Sequence, residues 1–93
     1  MTNSERLKEL EKLKEKSRGI LSHRESFKDW YVRTSSLIAF DPKARRKFDE
    51  LCDYIIRKHA FDTDVIHGNV AEAQQRLDII VARSISDLEV NHP

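Results

Sequence analysis

Only four of the 93 residues are glycine or proline, two of each. Such a chain has few places to turn sharply, because glycine supplies the positive-φ geometry of tight turns and proline presets φ for others. An all-β fold, with its many Gly-rich turns, is disfavoured. Between the few breaks, apolar residues recur at helical spacing. The expectation is an all-α fold, a small helical bundle of four helices forming one domain over 1–93. The first helix can stand as an extended or coiled-coil-like arm over 1–18, leaving a three-helix core over 22–88.

The first helix is expected over residues 3–18. Thr2 and Glu5 fit a capping box, and Gly19 fits a C-terminal stop. Its apolar residues Leu7, Leu10 and Leu13 step by three, so the stripe drifts by about 60° per step among Glu and Lys. The second is expected over 23–39, capped by Ser22 with Glu25, and its stripe is Phe27, Trp30, Tyr31, Thr34, Leu37 and Ile38. Those aromatics read as core rather than as a cage or stacking platform.

Asp41 as N-cap and Pro42 at the first helical position start the third helix. It carries Ala44, Phe48, Leu51, Cys52, Ile55 and His59 on one face and runs through Ala60. The fourth covers 69–88, with Asn69 and Glu72 as its capping pair. Val70, Ala73, Leu77, Ile80, Val81, Ser84, Ile85 and Leu88 face inward. A competing start at Thr63 would add Ile66 to that stripe and run through Gly68 at about 1 kcal/mol. The tail over 90–93 is expected to fray. Short connections imply antiparallel neighbours.

Charged residues make up 35% of the chain, yet the formal net charge is +1. The chain as a whole therefore has no strong preference for polyanions. The charge is unevenly spread: residues 1–24 are basic, while 63–93 are acidic. The basic and acidic ends can pack together or stay solvated. Lys43, Arg45, Arg46 and Lys47 crowd the start of the third helix, where cations oppose the helix dipole.

Motifs for chemistry are scarce. Two glycines leave no phosphate-cradling loop, and no H-E-x-x-H, C-x-x-C or calcium-loop pattern occurs. Cys52 and His59 share a helical face, but seven residues is about 10 Å of helix, too far to share one metal. No cofactor and no metal are expected. A single cysteine cannot form an internal disulfide, no apolar run is long enough to span a membrane, and no signal peptide is visible. The chain reads as a complete cytoplasmic protein without a membrane partner.

Two resemblances attach to the turn after the first helix. Arg18 and His23 have the R-x4-H spacing of the HEPN ribonuclease family, which would imply RNA cleavage across a dimer. There the pair lies near the start of a late helix; here it lies early, and Gly19 stands where a polar residue follows the Arg. The alternative is a helix-end Arg and a first-turn His. The run 19–37, with Phe27, Trp30, Thr34 and Leu37 at F-x-x-W…T-x-x-L spacing, is similar to helical segments that precede effector domains in some bacterial defence proteins. The F-G-x-x-S that typically follows is absent.

No acid, base, nucleophile or metal can be nominated, so an enzyme is not expected. The leading expectation is a small protein-interaction module acting by helix–helix association, with a protein partner or itself as a homodimer, through Leu7, Leu10 and Leu13. On that reading Leu10→Asp abolishes association and leaves the other helices folded. The alternative is a small nucleic-acid-binding regulator that contacts phosphates through Lys43, Arg45, Arg46 and Lys47.

Overall fold

The computed structural model describes residues 2–91. It contains four α-helices: α1 (Asn3–Lys16), α2 (Arg24–Leu37), α3 (Pro42–Lys58) and α4 (Gly68–Asn91), with a 3-10 turn at Ile20–Ser22. No strand occurs among the described residues. The fold is the expected all-α bundle. Each helix packs on the next in sequence, and α4 closes the ring by packing on α1. Paired residues run in opposite directions on facing helices. Tyr31 meets Asp53 and Ser35 meets Asp49 across α2 and α3, while Leu13 meets Trp30 across α1 and α2 and Arg6 meets Phe40 in the turn just beyond α2. The bundle is therefore up-down-up-down, and its extents are 44 × 21 × 16 Å.

The helix boundaries follow local chemistry. Thr2 Oγ1 accepts from the Glu5 amide at 3.1 Å, and Asp41 Oδ1 accepts from the Ala44 amide at 3.2 Å, with Pro42 opening α3 as expected. Other ends differ from expectation. Ser22 does not cap α2: it closes the 3-10 turn, and His23 is the N-cap without a side-chain hydrogen bond. α1 and α2 stop short of residues 18 and 39, and α3 ends at Lys58 with His59 as C-cap. α4 begins at Gly68, so Asn69 lies inside it, and the helix runs three residues past Leu88. Thr63 Oγ1 donates to the carbonyls of Ala60 and Val65, and so organises a turn rather than starting a helix. Of the tail expected to fray, Val90 and Asn91 are helical; His92 and Pro93 lie outside the described residues.

The core corrects the first-helix expectation. Leu10 is 0% exposed, Leu13 is 5% exposed, and Leu7 packs against the same cluster. A three-residue stripe suffices because α1 lies in the groove between α2 and α4 and buries only its inner edge. The contact is also polar. Trp30 Nε1 donates to the Leu13 carbonyl at 2.7 Å, and Gln74 Nε2 donates to the Ser17 carbonyl at 3.2 Å. Both carbonyls lie at the end of α1 and also accept backbone amides, from Ser17 and Ile20, so each side chain is a second donor that ties the helix end to a neighbour. α1 is a fourth wall of the bundle, not an arm.

The aromatics form a continuous row inside. Phe61, Phe27, Trp30 and Phe48 follow one another at ring separations of 5.6, 5.9 and 5.5 Å, and Tyr31 borders Phe48 at 6.0 Å. These tilted pairs are the geometry aromatic rings favour.

Candidate interaction surface

The structure places the two expected contact sets very differently. Leu10 and Leu13 are enclosed by the chain's own helices and Leu7 is half-buried against the same core, so the leucine stripe faces its own bundle. Lys43, Arg45, Arg46 and Lys47 are exposed on the first turns of α3. Arg45 is committed inward: its Nε donates to Ser35 Oγ at 3.1 Å and lies 3.8 Å from Asp49 Oδ2. Ser35 Oγ in turn donates to Asp49 Oδ1 at 2.7 Å. Lys43, Arg46 and Lys47 take part in none of the ion pairs of the described residues.

Arg18 and His23 flank Gly19, whose φ of +70° turns the chain between them. Both are exposed, but Arg18 lines the cleft between α1 and α4 with Asp78, whereas His23 lines a groove on the loop side. Within the chain they are not brought to one cleft. His23 is an N-cap rather than a first-turn residue.

Cys52 and His59 are both buried, and no group of three or more His, Cys, Asp or Glu residues among those described is placed to hold a metal. Burial, with Asp49 and Asp53 close by, pushes the Cys52 thiol well above its ordinary range. The thiolate that would act as nucleophile or ligand is thus suppressed. His59 Nε2 donates to the Leu21 carbonyl at 2.9 Å, which pins the 3-10 turn to the end of α3. A carbonyl only accepts, so Nε2 carries the proton in this arrangement, and the buried Nδ1 has no partner among the described residues.

The same clamp shapes a wide concavity. An open groove of about 1150 Å³ lies where the 3-10 turn and the start of α2 face the segment joining α3 to α4. Leu21, Phe61 and Ile66 supply its apolar lining; Glu25, Asp62 and Asp64 are its carboxylates. Phe61 is held by His59, whose ring meets it edge-on at 4.6 Å, and by the Arg24 guanidinium 5.5 Å above its face. Beyond Phe61 the chain exposes Val65 (61%) and Ile66 (46%). The competing reading that put Ile66 on the buried α4 stripe is overturned, because the chain is not yet helical there.

Sequence reasoning passed over this surface while weighing where α4 starts. A signal was present: no Lys or Arg occurs between Lys58 and Arg76, while Asp62, Asp64, Val65 and Ile66 fall in a stretch without a helical stripe. No protein-family model, no curated protein and no solved structure matches the chain. The site must be read from its own residues.

Proposed function

We propose that the chain is a protein-interaction module without catalytic activity, and that its contact surface is the groove end rather than the leucines of α1. One observation carries this reading. Val65 and Ile66 stand exposed beside an open groove edged by Asp62 and Asp64, although the rest of the chain has buried most of its large apolar side chains. A bulky apolar pair beside a concave, partly apolar groove is what a protein contact uses as its anchor, and the flanking charges select the partner. The partner this favours is a protein surface with an apolar tip and basic flanks.

Photocrosslinking tests the reading. A benzoylphenylalanine in place of Val65 should give a discrete adduct in an extract of the source cells, lost when Asp62 and Asp64 are both changed to Lys. The same group at Gln75 should give none. Equal adducts from both positions, or none from Val65, would overturn it.

A second reading rests on Lys43, Arg46 and Lys47, which are exposed and outside the ion pairs of the described residues. They are suited to phosphate contacts along a nucleic-acid backbone, and Arg45, tied to Asp49, is not one of them. This reading expects retardation of an oligonucleotide at low salt that Arg46→Glu with Lys47→Glu removes. No retardation of single- or double-stranded DNA or RNA would dispose of it.

A further inference from the structure

We infer that the groove end receives the opposite end of a second copy of this chain, so that molecules associate head to tail. The inference rests on the groove being the contact surface and names its occupant.

The surfaces at the two ends of α3 differ in charge: Arg57 and Lys58 stand exposed in its last turn, but the groove beyond them is edged by carboxylates. At its start, Lys43, Arg46 and Lys47 stand exposed and outside the ion pairs of the described residues, next to Phe40, which is 39% exposed. The Arg6 guanidinium lies 5.5 Å from the Phe40 ring centroid and adds a fourth cation to this end. At the other end the groove carries Glu25, Asp62 and Asp64 against one arginine, Arg24, with Val65 and Ile66 beside it. Seventeen residues of helix, about 25 Å, separate the two.

The N-terminal end of α3 is also the positive end of its helix dipole, so the cations there repel it. Asp41 at the cap and Asp49 beside Arg45 offset part of that repulsion; a carboxylate-lined surface set against Lys43, Arg46 and Lys47 relieves more, and the chain carries one at its other end. Phe40 then meets the apolar lining of Leu21, Phe61 and Ile66. Because the two surfaces differ, the contact is heterologous, and growth continues beyond a dimer unless the rotation closes a ring.

Sedimentation velocity on the full chain tests this at low and high ionic strength. The weight-average mass should climb above the 10.9 kDa protomer with concentration at low salt and fall back at high salt. Two charge-reversed chains sharpen it: Asp62→Lys with Asp64→Lys, and Arg46→Glu with Lys47→Glu. All four positions are exposed, so each chain should remain helical by circular dichroism. Each should be monomeric alone, and mixing them should restore association, since every junction again joins opposite charges. A wild-type chain that stays monomeric overturns the proposal. So does a dimer indifferent to both reversals but split by Ile79→Glu, which would place the contact on the outer face of α4. Failure here leaves the wider reading standing if Val65 still crosslinks to a different protein in extract, and removes both if it crosslinks to nothing.

Discussion

Helices α1 and α3 reach the same depth of burial from unequal sequences. α3 carries a broad apolar face, with Phe48, Cys52 and Ile55 each fully buried, and would find a core in almost any helical arrangement. α1 offers three leucines in a run of Glu and Lys, yet Leu10 is as deeply buried as Phe48. The difference lies in what holds each one. α3 is held by area. α1 is held by a narrow seam plus two hydrogen bonds to its last carbonyls, from Trp30 and Gln74. A weakly amphipathic helix can thus be core when its neighbours supply the groove and its terminal acceptors find donors.

Truncation is the strongest way to break that comparison. Phe48→Ala should lower the unfolding free energy by about 3–5 kcal/mol and Leu10→Ala by about 2–5 kcal/mol, measured by urea denaturation. A loss under about 0.5 kcal/mol for Leu10→Ala would make α1 a loosely attached arm after all. Next comes the hydrogen bond. Trp30→Phe keeps a ring in the row but removes one of the two donors on the Leu13 carbonyl, which keeps the Ser17 amide, at an expected cost of about 0.5–1.5 kcal/mol. If thermal stability is unchanged, the tie between α1 and α2 carries nothing. Gly19→Ala tests the turn that brings α1 back onto α2. The space around Gly19 is open, so the cost is the positive φ itself, about 1–2 kcal/mol.

The smallest effects separate the two seams by pH. Burial raises the Tyr31 phenol on the α2–α3 side to about 12, with Asp49 and Asp53 adding to it. Its folded pKa lies above the ordinary 10.0. The stability it contributes is therefore complete below about pH 10 and is lost as pH rises toward 12. The phenolate absorbance of wild type minus Tyr31→Phe should appear near pH 12, and a midpoint at 10 would contradict the burial.

On the α1–α4 side, burial raises the Asp78 carboxyl against the lowering influence of the Ser17 hydroxyl and Lys14. A raised carboxyl contributes stability at low pH and loses it as pH climbs through the folded value, so the ionised form weakens the seam at neutrality. Asp78→Asn should stabilise the fold at neutral pH and lose that advantage in acid. An unchanged midpoint at neutral pH would show the carboxylate to be well solvated.

Read alone, the sequence determined which segments are helical and which faces point inward. Scarce glycine and proline left helices as the regular option, and the 3.6-residue recurrence of Phe27, Trp30, Phe48, Ile55, Leu77 and Val81 marked the buried edges. Asp41 and Pro42 located the start of α3 because capping is a contact between near neighbours. The tertiary structure decided the rest. Whether Leu10 faces solvent, a partner or its own bundle depends on the groove between α2 and α4, residues distant in the chain. Whether Arg45 is a free cation depends on Ser35, ten positions away on another helix. The groove itself exists because His59 bonds the Leu21 carbonyl across 38 positions and so holds two turns face to face. Local free energies write helices into a sequence; which surfaces stay open is settled only when the helices compete for one another.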